Sequence, residues 1–166
     1  VSQLLEACVS GFQESGLMCT LKHFPGHGDT TEDSHLGYAR SNATLDSLRT
    51  QELLPFSSGI AAGAPVVMAG HISLPKITGD NTPASLSPVI ITDLLRTELG
   101  FTGLIITDAM NMGAITENHS AGDAAVLAIA AGCDLILMPE DLPQAAKALQ
   151  NAVEAGVIPT ARIDES

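Results

Sequence analysis

Side chains able to do chemistry are concentrated in one short stretch, Lys22-His23-Phe24-Pro25-Gly26-His27-Gly28, and its continuation Asp29-Thr30-Thr31-Glu32-Asp33-Ser34-His35. Three of the five histidines lie there, interleaved with carboxylates. An imidazole titrates near neutrality, so it can give a proton in one step and take it back in the next. A carboxylate two residues away, as Asp33 is from His35, could fix its tautomer and stabilise the imidazolium. Pro25, Gly26 and Gly28 keep helix and strand from continuing, so the stretch is a loop leaving an ordered apolar segment. Two more polar residues end apolar runs: His71 after Val66-Val67-Met68-Ala69-Gly70, and Asp108 after Leu104-Ile105-Ile106-Thr107. A carboxylate held at the end of a rigid element suits a covalent nucleophile, although an N-cap or loop solvation would use the same position.

Zinc chemistry is the rival reading of the same residues. His23, His27, His35 and Asp33 are ligand types, but a zinc site needs them in tetrahedral convergence. His23 and His27 have i, i+4 spacing, yet Pro25 and Gly26 forbid the helix that would align them. No metal and no cofactor is therefore expected. His27 and Asp29 read as structural within the loop, and His119 as a surface residue. His71 either borders the pocket or pairs with a loop carbonyl.

The elements that must position these residues follow from the apolar pattern. Leu5, Cys8, Val9 and Phe12 recur at helical spacing, which predicts an amphipathic helix over 2–15, stopped by Gly16. Leu17 to Leu21 is an apolar strand whose end turns polar at Lys22 and His23. A helix is expected over 45–62 with Leu53, Phe56 and Ile60 on one face, and Pro55 must kink it or mark its true first turn. Val66 to Ala69 is the second strand, 72–86 a long loop, and Ser87-Pro88 opens a helix that buries Ile91, Leu94 and Leu95 up to Leu99. Leu104 to Ile106 is the third strand. A loop through Met110 and Met112 leads to a helix from about Gly122 to Ala131. Leu135 to Leu137 is the fourth strand, Pro143 opens a helix ending before Gly156, and 162–166 reads as the opening of one more.

Strand and helix thus alternate four times, and the strands are apolar on both faces. That is the pattern of an α/β fold with a parallel sheet covered by helices. No Gly-x-Gly-x-x-Gly follows a strand, which counts against a dinucleotide-binding sheet. Three strands end in polar groups that would converge on the C-terminal face of a (β/α)₈ barrel. Four βα units make half of such a barrel, and the expected fold is its C-terminal half, with residues 1–166 forming one partial catalytic domain of a longer chain.

Composition sets outer limits. The chain has 166 residues, 45% hydrophobic and only 3% aromatic, so its core must be aliphatic. A formal charge of −12 with seven Lys and Arg excludes nucleic acid and anionic membrane surfaces as partners. No apolar run approaches the roughly 18 residues that span a bilayer. Cys8, Cys19 and Cys133 lack metal or redox spacing, and the last two read as buried small hydrophobes. The first residue is Val, so the natural start is expected upstream. The compartment stays open between cytoplasm and cell wall or exterior.

Lys22-His23-Phe24-Pro25-Gly26-His27-Gly28 followed by Asp33-Ser34-His35 resembles the signature of glycoside hydrolase family three, in its β-N-acetylhexosaminidase branch. Ile106-Thr107-Asp108-Ala109-Met110-Asn111-Met112 resembles that branch's nucleophile segment, in the family's order, although many relatives carry Asp where Ala109 stands. The resemblance implies a retaining glycosidase that removes terminal β-N-acetylhexosamine from glycans or cell-wall fragments. It makes Asp108 the nucleophile, His35 the general acid/base with Asp33 as its partner, and Lys22 and His23 binders of sugar hydroxyls. The branch draws a further acidic group and an arginine from earlier barrel strands, which have no counterpart in these residues. A non-catalytic sugar-binding or assembly half-barrel is the alternative. Two open sheet edges, near Lys22-His23 and near Met138, lead us to expect a homodimer or closure by further chain. Weak or absent hexosaminidase activity is expected of these residues alone.

Overall fold

The computed structural model describes residues 1–28 and 39–166. The expectations for Asp33 and His35 therefore lie outside the described residues, as does the one for Asp29.

Helix α1 (Ser2–Glu14) opens the chain, and Gly16, at φ +71°, turns it into strand β1 (Thr20–Phe24). A left-handed turn there is open to glycine without a Cβ clash. β1 starts and ends three residues later than the apolar run suggested. Leu17 and Met18 are exposed and precede it, while Lys22, His23 and Phe24 belong to the strand. α1 also buries less of its apolar face than its spacing promised: Val9 is buried and Leu5 partly so, whereas Cys8 is exposed and Phe12 is 46% exposed.

The expected helix over 45–62 is two helices, α2 (Leu45–Thr50) and α3 (Leu53–Ala61), with Pro55 in the first turn of α3, where its missing N–H costs nothing. Thr44 and Ser47 cap α2 reciprocally. Gly59 of α3 lies against Leu21; a Cβ there would sit 2.6 Å from Leu21 Cδ1, so glycine lets helix and strand close up. Phe24 and Phe56 meet edge to face at 5.1 Å, which joins β1 to α3.

Strand β3 (Val66–Ala69) follows, and the segment expected as one long loop holds more order than its composition suggested. Ile72–Ser73 (β4) pairs in parallel with Ala39–Arg40 (β2). A short helix, α4 (Pro75–Thr78), and a 3₁₀ turn (Ala84–Leu86) come next. The helix expected after Ser87-Pro88 spans Val89–Glu98 with π-type winding and buries Ile90, Ile91, Leu94 and Leu95. It ends before Gly100, at φ +66°. Strand β5 (Leu104–Thr107), a short helix α5 (Gly113–Thr116), and helices α6 (Ala121–Ala131), α7 (Leu142–Glu154) and α8 (Thr160–Glu165) complete the chain. Ser120 and Asp141 cap α6 and α7 by accepting from the N–H groups of Asp123 and Gln144.

β1, β3 and β5 form a parallel sheet in that spatial order. Leu135 extends it by a parallel bridge to Ile106, and the Leu135 N–H donates to the Ile105 carbonyl at 3.1 Å. Leu135–Leu137 is thus the fourth strand position, held by an irregular ladder rather than a regular one. Each strand lies beside its predecessor with no reversal of order, as around a (β/α) barrel; an open doubly wound sheet would show a switch point. The barrel is not closed among the described residues.

The core is mainly aliphatic, as composition implied, with Phe24, Phe56 and Phe101 set into it. Leu21, Phe24, Val67, Leu95 and Ile105 are among the buried residues of one large cluster, while Ile129, Ala152 and Ile158 form a smaller one. No described helix is long and apolar enough to cross a membrane.

Candidate active site

Parallel order puts the C-terminal ends of β1, β3 and β5 side by side, and these ends carry His23, Gly70-His71 and Asp108. The structure brings three of the singled-out residues together. His23 Nε2 lies 3.6 Å from Asp108 Oδ2. His71 follows β3 and is buried behind them, 1% exposed. Gly70 eases the approach, because a Cβ there would stand a tight 3.1 Å from His23 Cβ.

Asp108 is held tightly by its backbone. Its N–H donates to the Ala69 carbonyl at 2.8 Å. The neighbouring N–H groups of Thr107 and Met110 donate to the carbonyls of Leu135 and Leu137 at 3.0 and 2.9 Å. Thr107 is fully buried and its hydroxyl accepts from the Leu137 N–H at 3.0 Å, so the fourth strand position is tied to the site as well. The carboxylate oxygens differ. Oδ1 accepts from the Ala109 N–H at 2.8 Å, while Oδ2 faces His23 beyond hydrogen-bond distance.

Burial holds the His23 imidazole below its ordinary pKa of 6.5. The Asp108 charge pulls upward, and Lys22 and His27 push down again. His23 is therefore neutral at neutral pH rather than a cation locked onto Asp108. Its ring meets His27 edge to face at 5.6 Å. The peptide bonds Lys22–His23 and Phe24–Pro25 are both cis, and the β1–β3 register shifts between Leu21 and Phe24.

His71 takes the second of its two expected roles, pairing with a loop carbonyl. Nε2 lies 3.0 Å from the Ala109 carbonyl and Nδ1 2.8 Å from the Ser85 hydroxyl. Burial lowers its pKa, against upward pulls from the Ala109 carbonyl and Asp108, with His23 adding to the lowering.

Lys22 is placed differently. It is exposed and lines an open hollow with Leu5, Gly26, Gly28 and Glu52, while His23 is the residue facing Asp108. Ser85 and Ala109 were not singled out by the sequence. A serine in a Pro- and Thr-rich stretch and a backbone carbonyl carry no spacing signal. Cys133 is buried as expected, its thiol pushed up to about 12 by burial, and so is chemically inert; Cys19 is only partly buried. Among the described residues, no three His, Cys, Asp or Glu side chains gather as metal ligands.

The glycosyl hydrolase family 3 N-terminal domain matches residues 1–166, the whole chain. The chain belongs to that family. A β-hexosaminidase of Stenotrophomonas maltophilia is 44% identical over 155 residues, covering 90% of this chain and 45% of the relative. The solved family 3 β-N-acetylglucosaminidase of a Paenibacillus strain superposes with a TM-score of 0.95 at 42% identity, over 99% of this chain and 32% of that one. The β-N-acetylglucosaminidase of Thermotoga maritima gives 0.86 at 33% identity, over 95% and 34%. The chain thus spans less than half the length of these relatives. The α/β architecture is that of family 3 barrel domains, as the alternating elements implied.

Proposed function

We propose that this chain carries the nucleophile side of a retaining β-N-acetylhexosaminidase. Asp108 attacks the anomeric carbon through Oδ2 and breaks the glycosidic bond as the leaving oxygen takes a proton from His35. Water then attacks the glycosyl-Asp108 ester and gives its proton back to His35, restoring both groups. Asp33 orients His35 and supports its charged form, and His23 and Lys22 bind sugar hydroxyls. The sugar is a terminal β-linked N-acetylhexosamine on a glycan or cell-wall fragment.

One observation carries this reading: the Asp108 carboxylate, fixed at the end of β5, has Oδ1 held by the Ala109 N–H while Oδ2, among the described residues, stands 3.6 Å from His23 and outside hydrogen-bond distance. A nucleophile needs one oxygen restrained and one with a lone pair to spend. The named relatives, β-hexosaminidases and β-N-acetylglucosaminidases, support the substrate class.

We further propose that the domain is part of a complete catalytic barrel. Leu17, Met18, Leu135 and Met138 are exposed beside its outer strands, and monomers rarely leave such apolar edges bare. Further strands of the same polypeptide or a second copy would cover them. Residues 1–166 alone should associate or aggregate, with weak activity. Light scattering showing a stable monomer would count against that.

The deciding experiment is hydrolysis of an aryl β-N-acetylglucosaminide by the full protein and by Asp108→Asn. The variant should fold normally and lose on the order of 10⁴ to 10⁶ in kcat. Near-normal turnover would end the assignment. Sugar binding without turnover by the unaltered protein would favour a binding module instead.

A further inference from the structure

We propose that His71 and Ser85 are a positioning pair that sets the orientation of the Asp108 carboxylate; this rests on the reading of Asp108 as nucleophile. The Ala109 carbonyl can only accept, so the Nε2 that faces it at 3.0 Å carries the proton. In the neutral ring Nδ1 is then a bare acceptor, and the Ser85 hydroxyl, 2.8 Å away, donates to it. Ser85 is fully buried and His71 nearly so, which shields both bonds from bulk solvent.

Both ends of this relay are anchored. Ser85 donates its backbone N–H to the Gly70 carbonyl at 3.2 Å, and its own carbonyl accepts from the Cys133 thiol at 3.5 Å. At the other end, the peptide joining Ala109 to Met110 is gripped from two sides. His71 holds its carbonyl, and its N–H donates to the Leu137 carbonyl at 2.9 Å. The peptide joining Asp108 to Ala109 carries the N–H that donates to Oδ1 at 2.8 Å. Only the φ and ψ of Ala109 separate the clamped plane from the one that holds the carboxylate. His71 thereby limits how far the N–H donor can swing, and with it which Asp108 oxygen is held and which is free.

An attacking oxygen must sit about 3 to 3.5 Å from the reacting carbon with its lone pair aligned, and misplacement by about 1 Å can cost 100-fold in rate. Loss of the clamp should therefore appear in kcat and not in sugar affinity.

The test uses the full protein with three substitutions. His71→Asn shortens the donor so that it no longer reaches the Ala109 carbonyl. His71→Gln places an amide N–H where Nε2 was. Ser85→Ala deletes the hydroxyl that fixes the ring. We expect His71→Asn to lower kcat by about 10- to 100-fold with KM little changed. His71→Gln should recover most of that loss, and Ser85→Ala should show a smaller loss of the same kind. Equal losses in Asn and Gln, or a change confined to KM, would overturn the pair. Should His71→Asn fail to fold, Ser85→Ala decides: an unchanged kcat refutes the relay. Asp108→Asn is measured alongside. An inactive Asp108→Asn with a normal His71→Asn sinks only the positioning pair, whereas an active Asp108→Asn sinks the nucleophile reading beneath it.

Discussion

Two aspartates near opposite ends of β5 make different use of the same chemical group. Asp134, beside the strand's beginning, has a side chain 5% exposed and is saturated with donors. Arg96 and Arg162 both reach it, the Ile105 N–H donates at 2.9 Å, and the Ser166 hydroxyl at 2.8 Å. Burial alone would raise its pKa, but the Arg162, Ile105 and Ser166 hydrogen bonds and the Arg96 charge outweigh it and hold the carboxyl below its usual range. Asp108, just past the strand's end, has a side chain 17% exposed and, among the described residues, one backbone donor on Oδ1, with a neutral imidazole 3.6 Å from Oδ2. A carboxylate whose lone pairs are all engaged fixes structure. One that keeps a lone pair uncommitted can attack. The barrel spends its donors at the end where stability is wanted and withholds them where chemistry is proposed.

The sharpest way to break this contrast is to exchange symptoms between the two sites. Asp134→Ala removes the carboxylate that two largely buried guanidinium groups share, although Arg162 keeps Glu165 and Arg96 keeps the Phe101 and Gly103 carbonyls, and should destabilise the full protein by about 3 kcal/mol. Turnover per folded molecule should hardly change. Asp108→Asn should do the reverse, with thermal melting preserved and turnover lost. Denaturant titration beside steady-state kinetics checks both, and a stable Asp134→Ala variant would dissolve the distinction.

A second substitution tests the proposed proton transfer. His35→Ala should slow substrates with poor leaving groups far more than activated aryl glycosides, since the latter need little protonation. Asp33→Ala should show the same pattern more weakly. Equal losses on both substrate types would assign the loop a structural role.

Smaller in size is the response to acid. His71, like His23, has its folded-state pKa lowered mainly by burial. The unfolded chain therefore binds more protons as pH falls below the ordinary imidazole value of 6.5. The stability that the buried His71 ring contributes is complete above that value and is lost as pH drops through its lowered folded-state pKa. His71→Gln should flatten the fall in Tm between pH 7.5 and pH 5, a range of about one imidazole titration. An unaltered acid slope would mean that His71 does not titrate in this way.

Least in size is Gly70→Ala. Its new methyl would press on His23 and Ile72, costing about 1 kcal/mol in stability and shifting His23 relative to Asp108. A modest rise in KM is expected, and unchanged kinetics would show that the β1–β3 approach has slack.

The alternation of strands and helices was legible because short apolar runs of three to five residues alternate with stretches of helical periodicity that stop at glycines such as Gly16, Gly100 and Gly132. Asp108 and His23 were legible because each is polar at the end of such a run. β2 and β4 were not, since two-residue strands such as Ile72–Ser73 carry no periodicity and are stabilised by tertiary pairing. The π-type winding of Val89–Glu98 has the same hydrophobic pattern as an ordinary helix. The roles of Ser85 and the Ala109 carbonyl depend on folding residues 14 and 38 positions away onto His71. Spacing along the chain does not encode that. The family motif implies one shared role for Lys22 and His23 as binders of sugar hydroxyls, whereas the fold separates them: His23 faces the carboxylate, and Lys22 lines a hollow with Glu52.

The central claim is that the free oxygen of Asp108 forms a bond to sugar carbon. It is tested most directly by incubating the full protein with a fluorinated N-acetylhexosaminyl fluoride, whose glycosyl-enzyme forms quickly and hydrolyses slowly, and then mapping the adduct by peptide mass spectrometry. One sugar mass on the peptide containing Asp108, absent from Asp108→Asn and discharged with time as activity returns, is the predicted result. A label on another residue, or full inactivation without covalent mass, would contradict it.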